Sequence, residues 1–173
     1  ITRDIPPGDS KERAICTRCG AIHYENPKMV VGCLPVWEGR ILLCRRAIEP
    51  RYGHWTLPAG FMENGESTEQ GAMRETLEEA GARVRDLQAF ALLDVPLVHQ
   101  IHFYFRAELC DLDFASGDES LESRLFSESE IPWDALSFRT VVETLRLYFA
   151  DRSGGGFRFH RLTLTSPAPP IRQ

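Results

Sequence analysis

The sequence predicts a layered α/β or α+β domain. Three observations carry that prediction: two β-rich stretches joined by a tight turn, a capped helix dense in glutamate, and alternating apolar segments followed by a closing amphipathic helix. Met29-Val-Val-Gly-Cys-Leu-Pro-Val-Trp37 is β-rich, Glu38-Gly39 supplies a turn, and Ile41-Leu-Leu-Cys-Arg-Arg46 returns, which reads as a β-hairpin. Residues 50–65 read as loop, punctuated by Gly53, Pro58, Gly60 and Gly65. Ser67-Thr-Glu-Gln70 has the form of a capping box and Gly81 that of a left-handed stop, so a helix is expected over Thr68–Ala80. Alternating patterns predict strands over 89–95 and 101–109 and a short one over 124–126, with 111–121 as an acidic loop between them. Val141, Val142, Leu145, Leu147, Tyr148 and Phe149 fit a helix over about 138–150 that meets the break at Gly154-Gly-Gly156.

A chain of 173 residues fits one domain with a small appended module. Residues 1–27, rich in proline, glycine and charge, read as that module; 28–153 form the main domain and 154–173 a C-terminal extension, frayed after Ser166. With 43% hydrophobic and 26% charged residues the composition is that of a soluble globular protein. The net charge of −5 leaves no global basic field for a long nucleic acid, so a small ligand is the expected partner. No apolar run approaches the roughly 18 residues that span a bilayer, and no signal-peptide pattern opens the chain. Five cysteines form an odd set without a disulfide framework, which favours reduced thiols or a metal and a cytoplasmic location.

The chemistry concentrates at G-x5-E-x7-R-E-x2-E-E-x-G, from Gly60 through Glu66, Arg74, Glu75, Glu78 and Glu79 to Gly81. On a helix Glu75 lies one turn from both Glu78 and Glu79, so three carboxylates crowd together and call for a positive charge. Mg²⁺ characteristically takes one or two carboxylates, several waters and the substrate's phosphates, so the crowding reads as a metal and phosphate site. Gly60, free of a side chain, is the candidate backbone ligand, and Arg74 is expected to pair with Glu66 and tie the preceding loop to the helix. The competing reading is a solvated surface helix. Seven positions specified at roughly 6–7% usage each give a chance match of about one in ten million per window, which disfavours it.

This stretch resembles the signature of the Nudix hydrolases, with Thr76 and Ala82 where that family has larger aliphatics and Leu57-Pro-Ala-Gly60 close to its L-P-G-G entry. The resemblance implies a Nudix-type α/β/α sandwich around a mixed β-sheet. It also implies hydrolysis of a nucleoside diphosphate linked to a second group, with Mg²⁺ or Mn²⁺ held by Glu75, Glu78, Glu79 and the Gly60 carbonyl. The general base is either Glu75 or a glutamate from a later loop, for which Glu119 and Glu122 are the candidates. Cys16-x2-Cys19-Gly, Asn26-Pro-Lys-Met-Val-Val-Gly-Cys33, Trp55-Thr-Leu-Pro-Ala-Gly-Phe61 and Glu119-Ser-Leu-Glu-Ser-Arg-Leu-Phe126 look like the zinc-ribbon-bearing branch related to FAD and ADP-ribose diphosphatases. FAD or ADP-ribose is therefore the expected substrate, giving AMP plus FMN or ribose 5-phosphate, and a homodimer is common in such relatives. The string S-Q-P-W-P-F-P that marks NADH diphosphatases is missing from the sequence. Hydrolysis of NADH or another nucleotide-linked diphosphate, and a non-catalytic nucleotide sensor, are the alternatives.

Arg45 and Arg46 are candidates for phosphates, and Trp55, Phe61, Phe103 and Tyr104 for stacking on adenine or flavin. Cys16 and Cys19 make half of a zinc ribbon, which needs four ligands. Because the chain opens on Ile1 and not Met, a preceding C-x2-C is expected to complete a structural Zn²⁺ site in the full-length protein. Cys33 and Cys44, inside strands, read as buried thiols, and His23 is an isolated possible ligand.

Overall fold

The computed structural model describes residues 1–165, so the expectation about the tail after Ser166 lies outside the described residues. Strands β1 (Thr2–Asp4), β2 (Arg13–Ile15) and β3 (Ile22–His23) form a three-stranded antiparallel sheet of their own. The cysteine pair sits in the turn from β2 to β3, which closes through Gly20 N–H to Cys16 O (2.9 Å) and Cys16 N–H to Ala21 O (2.8 Å).

The main sheet contains β4 (Lys28–Trp37), β5 (Arg40–Arg46), β6 (Trp55–Thr56), β7 (Ala59–Phe61), β8 (Val84–Val95), β9 (Gln100–Leu109), β10 (Ser120–Phe126) and β11 (His160–Thr163). Its order is β10-β5-β4-β9-β8-β11, with β6 on β5 and β7 on β4. β4 runs parallel to β9 and β11 parallel to β8, while the other pairings are antiparallel, so the sheet is mixed. Glu38 and Gly39, at φ +47° and +75°, turn the β4–β5 hairpin, the two positive angles that a two-residue loop of matching twist requires.

Helices α1 (Thr68–Ala80) and α2 (Arg139–Gly154) cover opposite faces. Strand parity divides the core accordingly. Leu34 and Val36 of β4 and Ile41 and Leu43 of β5 pack with Val141, Leu145, Tyr148 and Phe149 of α2. Val31, Cys33, Leu42 and Cys44 pack with Ala72 and Ala80 of α1. The result is the expected α/β/α sandwich.

Four departures from the sequence reading have physical causes. β8 begins at Val84, ahead of the expected 89, because Val84, Arg85 and Gln88 pair with Leu109, Glu108 and Arg106 of β9 across a register shift that breaks the apolar alternation. β10 begins at Ser120 because Ser120, Glu122 and Ser123 pair across to Arg46, Arg45 and Cys44 on a sheet edge that tolerates polar side chains. The segment 50–65 contains two short strands, and β7 lays Gly60 opposite Val31 of β4. Finally, α2 continues to Gly154 with Gly155 as its left-handed cap, after which β11 pairs with β8 and Leu164 enters the core. The described part after residue 153 thus completes the sheet instead of extending away from it.

Candidate active site

Local sequence builds the helix wall of the site. The Ser67 hydroxyl accepts from Gln70 N–H (3.2 Å) and the Gln70 side chain accepts from Ser67 N–H (2.8 Å), while Gly81 closes α1 at φ +60°. Just before the cap, the Glu66 carboxylate accepts from Glu63 N–H (2.7 Å) and from Arg74 Nε (3.0 Å) and Nη2 (2.8 Å). Arg74 Nη2 also donates to Phe61 O (3.2 Å), so the guanidinium fastens the loop to the helix, as its position in the box suggests. These bonds hold the Glu66 carboxyl down to about 2.

Arg74 does more than that. Its Nη1 donates to Glu75 Oε1 (2.7 Å) and Glu78 Oε2 (3.0 Å), so part of the positive charge demanded by the crowded glutamates comes from the helix itself. Adjacency to Glu75 and the i,i+4 spacing to Glu78 were the available signals. Among the described residues Glu79 has no bond from Arg74 or another cation: it is buried, and its Oε2 accepts from Ala59 N–H (3.0 Å). Burial pushes its carboxyl up to about 8; the Ala59 N–H opposes this, the charges of Glu75 and Glu119 add to it, and Arg46 opposes. Burial likewise raises Glu75, against the pull of Arg74. Gly60 backs directly onto this cluster, because a Cβ there would overlap the Glu75 carboxylate.

These groups line a cleft of about 610 Å³ that also takes in Arg46, Phe61, Glu63, Asp118 and Glu119. Asp118 escaped the sequence reading, although its place beside Glu119 was the signal. The segment between β9 and β10 forms the opposite wall and is tied to the carbonyl end of α1: Ala115 N–H donates to Ala80 O (3.1 Å) and Gly117 N–H to Glu79 O (3.0 Å). Glu119 follows at once, its carbonyl accepting from Ala47 N–H (2.8 Å).

Glu122 is not brought to the cleft lining; it lies in β10 opposite Arg45. The paired arginines separate by strand parity. Arg46 shares the α1 face with Leu42 and Cys44 and lines the cleft, its Nε donating to Pro50 O (2.9 Å) with the guanidinium 5.2 Å from the Phe138 ring centre, whereas Arg45 points the other way and its Nε donates to Gly53 O (3.0 Å). Trp55 and Tyr104 belong to the core on the α2 side, Trp55 lying edge-on to Phe126 at 4.8 Å, so neither is placed to stack on a ligand. Phe103 packs toward the α1-side core with its ring 4.5 Å from that of Phe105. Phe61 is 50% exposed at the cleft, with the Lys28 ammonium 5.1 Å from its ring centre.

The cleft suits a hard divalent cation in its chemistry: carboxylates on neighbouring turns, of which Glu75 and Glu79 are raised by burial and by the charge of neighbouring glutamates. Among the described residues no three acidic, histidine or cysteine side chains converge on one metal position. On α1 the Arg74 guanidinium spans Glu75 and Glu78. In the N-terminal turn the Cys16 thiol is lowered by N–H groups of Cys19 and Arg18 and by the Cys19 side chain, an environment that favours a ligating thiolate. His23 is exposed on β3. Cys33 and Cys44 are core thiols pushed up to about 12 by burial. Among the described residues no helix is long and apolar enough to cross a membrane.

Comparison with known proteins agrees with this architecture. Residues 26–145 match the NUDIX domain and residues 1–25 the Nudix N-terminal zinc ribbon. The crystal structure of a NUDIX hydrolase from Nitrosomonas europaea is 51% identical and superimposes with a TM-score of 0.90, covering 94% of this chain and 93% of its own. The NAD-capped RNA hydrolase NudC of Pseudomonas aeruginosa is 31% identical over 144 residues, 80% of this chain and 50% of that protein. The ADP-ribose pyrophosphatase of Methanocaldococcus jannaschii is 28% identical over 124 residues, 69% of this chain and 73% of that protein. The chain thus spans about half the length of the NudC relatives it matches. With an intact glutamate box on a capped helix and a matching domain model over most of its length, this chain belongs to the Nudix hydrolase family.

Proposed function

We propose that the cleft hydrolyses the diphosphate linkage of a nucleoside diphosphate derivative, with FAD or ADP-ribose as substrate and AMP plus FMN or ribose 5-phosphate as products. The observation that carries this reading is the meeting of a buried carboxylate, Glu79, and a partly buried one, Glu75, with Glu119 and Arg46 around one cleft. Glu75, Glu78, Glu79 and the Gly60 carbonyl would hold Mg²⁺ or Mn²⁺. When bound, such an ion polarises phosphoryl oxygens and makes an attacking water more acidic. Arg46 neutralises phosphate charge at the cleft wall. Glu119, exposed and facing Glu75 and Glu79, takes a proton from the attacking water, whose oxygen bonds to phosphorus as the bridging P–O bond breaks. Phe61 offers an aromatic face at the rim for a base or flavin ring.

The name of the M. jannaschii relative supports the ADP-ribose side of this reading. A second reading, an NAD-type dinucleotide free or at the end of an RNA, is favoured by the name of the P. aeruginosa relative. It runs against the expectation that nucleic acid is no partner, which rested on net charge and does not bear on a ligand that enters the cleft by one end. The test is incubation with Mg²⁺ and a panel of FAD, ADP-ribose, NADH, CoA, nucleoside triphosphates and an NAD-capped RNA, with products separated by chromatography. AMP release from FAD or ADP-ribose, lost in Glu79→Gln, is expected. Strong turnover of NADH or capped RNA alone would overturn the substrate assignment.

A further inference from the structure

We propose that Gly117 is a positioning residue for the reaction, holding the segment that carries Glu119 against the last turn of α1 at a distance that only glycine permits. The inference rests on the reading of Glu119 as the group that accepts the water's proton. A Cβ on Gly117 would overlap the carbonyl oxygen of Glu78 and come within 2.9 Å of its carbonyl carbon. Both obstacles are backbone, so no side-chain rotation relieves them. Gly117 is not among the residues with positive φ, so the requirement is one of space and not of backbone conformation.

The contact is two-sided. The N–H of Gly117 donates to Glu79 O, and that of Ala115 to Ala80 O, so the loop supplies donors to carbonyls that a helix end leaves open. Gly81 makes room in return, because a Cβ there would lie 2.7 Å from Ala115 O. The box glycine therefore has a second duty beyond ending the helix: it lets the loop approach. Ser120 N–H then donates to Gly117 O (3.0 Å), closing a tight turn with Asp118 and Glu119 inside it. Glu79, whose carbonyl accepts from this loop, and Glu78, whose carbonyl Gly117 passes at close range, carry carboxylates that line the cleft with Glu119. One glycine thus sets the separation between the two walls.

The test is a double-mutant cycle on the full chain with the substrate turned over best, comparing Gly117→Ala, Glu119→Gln and the pair. Glu119→Gln should lower kcat about 100-fold, the lower end for a removed general base. Gly117→Ala should lower kcat roughly 10- to 100-fold with KM changed less than about two-fold, since misplacing a catalytic group weakens the transition state and not ground-state binding. In the Glu119→Gln background, Gly117→Ala should cost less than about two-fold more, because a residue acting through Glu119 has nothing left to lose. Thermal unfolding checks that each variant is folded. If Gly117→Ala does not fold, Ala115→Pro, which removes the donor to Ala80 O and sets a ring against that carbonyl, replaces it in the cycle with the same expectation. Equal losses with and without Glu119 would overturn the positioning role while leaving Glu119 in place. Normal turnover in Glu119→Gln alone would instead remove the role of Glu119, and this inference with it.

Discussion

The two walls of the cleft are built by opposite means. The helix wall assembles from groups within about twenty residues of one another: a capping box, a left-handed glycine, and an arginine whose bonds among the described residues reach Phe61, Glu66, Glu75 and Glu78. The loop wall has almost no local structure. Its placement depends on N–H donors to the end of α1 and on Ala47, which reaches Glu119 from β5's far end. A site can thus be half written in one contiguous motif while its other half is decided by which distant backbone lies alongside.

The sharpest way to break this contrast is at Glu79. Glu79→Gln should reduce kcat/KM roughly 1,000- to 10,000-fold, the upper part of the range for a group acting on the reacting centre. A loss no greater than that of Glu119→Gln would show the two walls to be chemically equal, and unchanged turnover would take Glu79 out of the mechanism.

Next in size is the arginine pair at the end of β5. Arg46→Ala should raise KM about ten-fold, the loss of one charge-assisted contact of about 1.4 kcal/mol, while Arg45→Ala should change it less than about two-fold. Equal effects would mean that strand parity does not decide which arginine meets the substrate.

A third measurement concerns pH. Because folding raises the Glu79 carboxyl from 4.5 to about 8, the folded protein keeps a proton that the unfolded chain gives up between those values. Stability from this group is present below pH 4.5 and lost as pH rises toward about 8. His102, lowered by burial from 6.5 to about 4, works in the opposite sense below pH 6.5, so the clean window is pH 6.5 to 8. In metal-free protein the thermal midpoint should fall across that window, more steeply than in Glu79→Gln, and added Mg²⁺ should flatten the slope. Parallel slopes in the two proteins would remove Glu79 as the cause.

The smallest effect is at the cap. Ser67→Ala should cost about 1 kcal/mol of stability with kcat nearly unchanged, measured by denaturant titration beside an activity assay. A large loss of kcat would tie the start of the helix to the chemistry as closely as its end.

The same contrast explains what could be read from the chain alone. Ser67, Gln70 and Gly81 set the limits of α1 because caps are local signals, and the hairpin around Glu38-Gly39 was visible for the same reason. Arg45 and Arg46 could not be told apart until a strand face was assigned. Trp55 lay in a stretch read as loop, so its parity, which sends it into the core beside Phe126, could not be counted. Glu119 and Glu122 looked equivalent because the start of β10 is polar, and only its pairing with β5 shows that Glu122 is a strand residue.

The return of the chain through β11 carries a practical consequence for anyone trimming this protein. His160–Thr163 lies along 91–94 of β8, where it occupies hydrogen-bonding groups that would otherwise face water on an open flank. A fragment stopped at Gly154 would bare that flank together with the neighbourhood of Phe90, whose ring meets His160 at 5.3 Å. Such a fragment invites strand-to-strand association between copies, so expression yield and light scattering, more than catalysis, would register the cut.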